Sequence, residues 1–375
     1  MSSTENDFFN GKREWSKLKD EVLRKYLPPY LKKVNKLNKK IILIDSFAGP
    51  GIFDDGEKGS PMYICELAEE FVPNNYQALL VNQEITHHNK LNEVLQKYTQ
   101  QKKAIALYGS ANDLLNLLHT IITDQTLFLY LDPFGLKGTS FNTLEKYLCR
   151  NKFYSTEILI NLSIPTILRL SSLNAVAQKG ITPIIKGKHQ VLNEALGGDY
   201  WKDFLLDTNL STEVRIAKTI DEYCKRLNYY LPYVGSCPVH EKTEFSKIKY
   251  SIIFASRHPD AQELMNDIMY KAYNRHIWKS FSNDTLFGEI EWEDTIPDTY
   301  FINLKQDIIE LLHQNGKLPR ETLWFNLVRL KFMRYQKKDF NSVVNELISQ
   351  GHLAFIDVKG TNKLNELSIL YLKKR

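Results

Sequence analysis

A chain of 375 residues with 43% hydrophobic side chains can bury a full core, in two domains or in one large domain with appendages. No apolar run approaches a membrane span, and the opening MSSTENDFFNGKREW has neither the apolar core nor the cleavage-like site of a secretion signal, so a cytoplasmic setting is expected. The formal net charge of +5 is mild, and Cys65, Cys149, Cys224 and Cys237 form no CxxC and no paired His motif, so neither a disulfide framework nor a metal site is expected.

Residues 1–40 read as a basic lead-in. Residues 12–40 hold eleven Lys or Arg against three acids, and Trp15, Leu18, Val22 and Leu23 fall at helical spacing. The pattern predicts an amphipathic helix over 14–38 with a basic outer face, broken or kinked at Pro28 and Pro29. Then comes IILIDSFAGPG, residues 41–51, around which the chain is organised. Its apolar start has the character of a parallel strand buried on both faces, and Asp45 marks where polar chemistry begins. Gly49 and Gly51 allow close backbone approach to a ligand. Pro50 removes a donor that a pyrophosphate would want, and G-x-G-x-x-G is absent, so a dinucleotide is disfavoured. A ligand with a sulfonium, an adenosine and an amino-acid tail suits the loop better, with Asp45, Phe47, Ala48, Gly49 and Gly51 as candidate contacts. The alternative is a plain turn between strand and helix. Residues 52–58, IFDDGEK, read as a flexible insertion over the pocket. Ser60 suits an N-cap and Pro61 the first position of a helix running to about Phe71.

Two further strands repeat the design. ALLVNQE ends at Glu84, which either accepts from ribose hydroxyls or is a surface acid; LFLYLDPFG carries Asp132. Between them lie a helix at 88–98 and a short strand AIALYG. Ser110 and Asn112 follow as candidate adenine contacts, and Asp113 suits a helix start. Asp45, Glu84 and Asp132 would then gather along one edge of a doubly wound sheet, where such folds bind ligands. A helix at 140–150 and a strand at 157–164 complete a βαβαβ succession. Residues 165–228 read as a helical insertion, and 229–235 with 247–258 as an antiparallel hairpin closing the sheet edge. A helix at 259–277 ends this domain, taken as 41–280.

Residues 281–300 read as an acidic linker, with six acids and no base from 283 to 300. Residues 301–375 carry thirteen bases and seven acids. Three helices (303–314, 319–330 and 338–350) and two strands around KGTNKLN describe a winged helix. In the third helix Phe340, Val343, Val344, Leu347 and Ile348 form one core face. Lys337, Lys338, Asn341 and Asn345 on its exposed face, with Lys359 and Lys363 in the wing, are candidate nucleic-acid contacts. Docking of a protein partner is the alternative.

Taken together, WSKL, DSFAGPG with GSP downstream, LDPFG, NLSIPTILRL and YSIIFASRHPD resemble the three-Cys-motif partner (TcmP) family over about residues 15–278. These are methyltransferase-like proteins encoded beside a three-cysteine, radical-SAM-like protein. The resemblance implies an α/β, Rossmann-like class I methyltransferase sheet with a helical insertion, followed here by the winged-helix domain. It implies S-adenosyl-L-methionine (SAM) as cofactor and a three-Cys-motif partner protein. Where related enzymes often carry an aspartate after the third strand, this chain has Ser110. LDPFG also resembles the D/N-P-P-Y/F motif of enzymes that methylate exocyclic amines, although its second proline is missing. By that likeness Asp132 and the Pro133 carbonyl hold the protons of a nucleic-acid base amine while Phe134 stacks on the base. A turn that only supports the loop, and a catalytically inactive scaffold binding nucleic acid or the partner, are the alternatives.

Overall fold

The structure, a computed structural model, describes residues 14–136, 138, 140–242, 246–282, 296–360 and 363–373. Four apolar residues and an acid make β1 (Ile41–Asp45), buried along its whole length. On one side it pairs in parallel with β2 (Tyr76–Asn82), which pairs with β3 (Ala104–Tyr108); on the other lie β4 (Thr126–Leu131) and β5 (Thr156–Ser163), also parallel. An antiparallel hairpin of β6 (Tyr233–His240) and β7 (Ile248–Ser256) completes the order β3-β2-β1-β4-β5-β7-β6. The sheet is mixed, seven-stranded and Rossmann-like. The chain runs outward from β1 to β3 and then restarts at β4 on the other side of β1, so the topological switch point lies at the carboxyl ends of β1 and β4.

The crossovers are α2 (Ser60–Phe71), α3 (Ile85–Val94) with the short α4 (Gln96–Gln100), α5 (Ala111–Ile121) and α6 (Phe141–Leu148). Side chains alternate between sheet faces. Ile42, Ile44, Leu127 and Leu129 share a core with Leu115 and Leu118 of α5 and Leu144 of α6. The opposite face is covered by α1 (Glu14–Val34), whose Tyr26 stacks on Phe128 and meets Phe254 edge-on. Instead of breaking at Pro28 and Pro29, α1 runs through both. The carbonyls that lose their donors belong to Arg24 and Lys25, two residues on the exposed side of the helix. Meanwhile Tyr26, Leu27, Tyr30 and Leu31 are buried and hold the helix down.

Five helices, α7 (Ile164–Ser171), α8 (Leu173–Lys179), α9 (Pro183–Leu196), α10 (Lys202–Leu205) and α11 (Thr212–Asn228), form the insertion between β5 and β6. The strand expected at 229–235 begins only at Tyr233, because α11 carries the helix to Asn228.

The chain divides into two compact units, Met1–Arg257 and His258–Arg375. The second contains α12 (Pro259–Ser282), expected from the sequence to close the first domain. Most of the acidic linker, 283–295, and the bases Lys12 and Arg13 lie outside the described residues. There follow α13 (Asp298–Asn315), β8 (Leu318–Pro319), α14 (Arg320–Leu330), α15 (Lys337–Ser349), β9 (Leu353–Ile356) and β10 (Ile369–Leu372), the strands ordered β8-β10-β9 and antiparallel. Leu304, Ile308, Trp324, Phe340, Val344 and Leu370 form this unit's own core.

Candidate active site

The loop after β1 is hung from its two neighbours. Ser46 N donates to Tyr130 O at 3.0 Å and Ala48 N to Val81 O at 2.9 Å, while the Asn82 amide donates to Gly49 O at 2.8 Å. Gly49 and Gly51 take φ of 62° and 83°, where an L side chain is strained. A Cβ on Gly51 would also lie 2.8 Å from Val94 Cγ2 and 3.0 Å from Leu91 Cδ1. Asp45 is wholly buried and faces inward: Ser60 Oγ donates to it at 2.6 Å and Phe47 N at 3.1 Å. Burial pushes its pKa up to about 7, against these two hydrogen bonds. Expected as a ligand contact, Asp45 instead fastens the loop to the start of α2. Ser60 accordingly makes no cap: Gly59 holds the N-cap position, Ser60 is the first helical residue and Pro61 the second rather than the first. The segment 52–58 forms its own hydrogen-bonded turn. Ile52 bridges Lys58, Phe53 N donates to Glu57 O at 2.8 Å, and Glu57 N donates to Asp55 at 3.0 Å.

At the carboxyl ends of β1, β2 and β4 lies a cavity of about 460 Å³. Phe47, Ala48, Gly49 and Gly51 line it together with Glu84, Asp132, Pro133 and Phe134. Ser110 and Asn112 do not, and Gly109 and Ala111 line it in their place. Ser110 caps α5, accepting from Asp113 N at 3.2 Å, and Asn112 accepts from Ser140 N at 3.2 Å. Unforeseen from the sequence are Ser16, Lys19 and Asp20 of α1, Asn82 at the end of β2, and Tyr250 of β7. The i, i+3, i+4 spacing of the first three places them on one helix face. The buried hydroxyls of Ser16 and Ser46 have no hydrogen-bond partner among the described residues.

Asp132 does not stand alone. Lys19 Nζ donates to both its oxygens at 2.8 Å, and Tyr130 Oη donates to Oδ2 at 3.4 Å while accepting from Asn161 at 2.9 Å. Lys19 is 3% exposed, Asp132 22%, and the ammonium also lies 4.1 Å from the centre of the Tyr250 ring. Burial acts to lower the pKa of Lys19, but Asp132, Tyr250 and Asp20 outweigh it and hold the ammonium above its ordinary value. Burial and the nearby carboxylates push Tyr130 well above the usual range, so its hydroxyl stays a donor.

In the second unit, the candidate nucleic-acid contacts divide. Lys337 is held by Glu263 at 2.8 Å and lies 3.8 Å from Glu366, and Asn341 accepts from Arg320 at 2.7 Å. Lys338, Asn345, Lys359 and Lys363 are exposed. Among the described residues no group of His, Cys, Asp or Glu is placed to hold a metal ion, and no helix is long and apolar enough to cross a membrane.

No protein-family model matches the chain, and no curated protein matches it. Solved structures do. They include an O-methyltransferase from Bacillus cereus in complex with SAH (12% identity, 67% of this chain and 94% of that one, TM-score 0.33). Two others are TomG from Streptomyces achromogenes in complex with SAM (11%, 68% and 100%, 0.30) and protein LPL1258 from Legionella pneumophila (10%, 68% and 92%, 0.39). Such distant similarities add nothing to what the strand order and the cavity carry by themselves.

Proposed function

We propose that the chain is a SAM-dependent methyltransferase acting on an exocyclic amine of a nucleic-acid base. The observation that carries this reading is one cavity that unites a close-approach glycine loop and an acid beyond β2 with the Asp132-Pro133-Phe134 motif. The residues fit the cofactor. Gly49 and Gly51 leave the backbone bare, Ser46 offers a buried unpartnered hydroxyl, and Glu84 is exposed at the cavity wall to accept from ribose hydroxyls. The volume lies within the usual range for small-molecule sites. When bound, SAM supplies a methyl group on a sulfonium, which is electrophilic without further activation.

The protein's task is then orientation and electrostatics at the acceptor. An aromatic amine's lone pair is delocalised into its ring until acceptors hold its protons. Asp132 and the Pro133 carbonyl are those acceptors, and Phe134, 51% exposed, stacks on the base. The glycine loop and Glu84 would hold SAM so that its methyl group passes to the amine that Asp132 and the Pro133 carbonyl orient, leaving the neutral thioether. One amine proton leaves through Asp132 to water.

In the second unit we read a winged helix that delivers the substrate through its backbone, using Lys338, Asn345, Lys359 and Lys363. The internal pairing of Lys337 and Asn341 favours a second reading, in which this unit docks a three-Cys-motif partner and the fold serves as a scaffold. A cytoplasmic setting suits both.

Calorimetry with SAM, followed by transfer from tritiated SAM to duplex DNA, structured RNA and the partner protein, tests the proposal. Wild type should bind, and Glu84→Ala should lose about 1–3 kcal/mol of affinity. Asp132→Asn should keep SAM affinity within a few-fold while losing transfer by about 100-fold or more. Absence of SAM binding would refute the reading, and binding without transfer to any acceptor would leave the scaffold.

A further inference from the structure

The first helix reads in sequence as a basic outer layer, yet one of its faces enters the cavity. Ser16, Lys19 and Asp20 line it, and Lys19 spends its ammonium on the motif aspartate, 113 residues away in sequence. Lys19 stays protonated and so takes no proton from an acceptor. It donates to both oxygens of Asp132, and the Tyr250 ring packs against the same ammonium. Whatever Lys19 does for the reaction, it does through Asp132.

Two consequences follow from the geometry. An ionised carboxylate offers about four lone-pair sites. Lys19 takes two and Tyr130 one, so the direction left for an amine is narrowly defined. Charge gives the other. An unpaired carboxylate in a cavity would attract protonated alkylamines, which have no free lone pair with which to accept a methyl group. Paired with Lys19 it carries no net charge, so the carboxylate at the acceptor position no longer favours an ammonium, although Asp20 and Glu84 also line the cavity.

We propose that Lys19 is a positioning residue of this site, orienting Asp132 and cancelling its charge so that the cavity selects a neutral aromatic amine over a protonated alkylamine. The proposal rests on the reading of the cavity as a methyltransferase site.

The full-length chain carrying Lys19→Met, Lys19→Arg or the double change Lys19→Met with Asp132→Asn tests it. The acceptor is the oligonucleotide that wild type methylates best, and the competitor a lysine-rich peptide. Lys19→Met should bind SAM within about threefold of wild type and lose about 100-fold in kcat toward the oligonucleotide, and the peptide should inhibit the remaining transfer at least about tenfold more strongly than in wild type. Lys19→Arg, which keeps the charge, should restore the wild-type inhibition. A merely structural lysine would lower SAM affinity and transfer together and leave the inhibition unchanged. The double variant buries no unpaired charge, so it serves where Lys19→Met does not fold; because Asp132→Asn alone already lowers transfer, it is compared with that single variant, and Lys19→Met should cost no more than about threefold further in that background. Wild-type rate and inhibition in Lys19→Met, or a further loss of about 100-fold in the Asp132→Asn background, would overturn the proposal while the methyltransferase reading stands. A wild-type chain that binds no SAM would overturn both.

Discussion

Asp45 shows how one buried acid couples the loop to pH. Its folded pKa of about 7 lies above the ordinary 3.8 because burial outweighs the hydrogen bonds from Ser60 and Phe47. The folded state therefore holds this proton more tightly than the unfolded chain, and stability falls as pH rises from about 4 to about 7. A difference of roughly three pKa units is worth on the order of 4 kcal/mol. Glu157, buried against Tyr26 and Ser256 and likewise raised to about 7, contributes a decline of the same sign. Asp45→Asn should accordingly match wild type near pH 4, exceed it near pH 8, and show a shallower decline between. Urea unfolding at a series of pH values measures this, and an unaltered slope would show that Asp45 ionises without penalty.

For the loop as an element, the constraint is packing as well as backbone conformation. Gly51 and Gly56 have nearly the same φ, 83° and 85°, but a Cβ on Gly51 would press on Val94 and Leu91 of α3, whereas nothing lies within 4 Å of one on Gly56. Gly56→Ala should cost about 1–2 kcal/mol from left-handed strain alone. Overpacking adds about 1–3 kcal/mol at Gly51, so Gly51→Ala should cost about 2–5 kcal/mol and weaken SAM binding as well. Chemical denaturation of the two variants isolates the packing contribution. Equal losses would mean that α3 yields. The same rule explains α1, in which the buried row from Tyr26 to Leu31 overrides two prolines that by local propensity should end a helix.

Across the whole molecule, the question is which bases a polyanion could reach. Residues 301–375 carry a net charge of +6, but Lys337 is already neutralised by Glu263. If this unit binds nucleic-acid backbone, log affinity should fall with log salt by about 0.9 per phosphate contacted. In the full-length chain, Lys359→Ala should then lower that slope by about one, while Lys337→Ala leaves it unchanged. Titration with duplex DNA and structured RNA at several salt concentrations measures both slopes. No binding even at low salt would assign the unit to protein contacts.

From sequence alone, β1, the glycine loop and the carboxylate-ended β4 were determined, because an unbroken apolar run, a turn that needs positive φ and the acid after a strand are all local chemistry. Of Asp45, Glu84 and Asp132, expected to gather at one sheet edge, the last two line the cavity with Gly49 and Gly51, since parallel strands with crossovers bring their carboxyl ends to the same edge. The side-chain directions were not determined. Asp45 turns inward because α2 sets the Ser60 hydroxyl against it, and Ser110 and Asn112 turn aside to cap α5 and hold the chain at Ser140. Nothing local separates Lys19 from its basic neighbours. Lys17, Arg24 and Lys25 stay exposed, and only the docking of α1 on the sheet carries Lys19 out of water and onto Asp132. Composition and spacing record which residues are charged, whereas burial and the partner that makes it tolerable exist only once distant segments have packed.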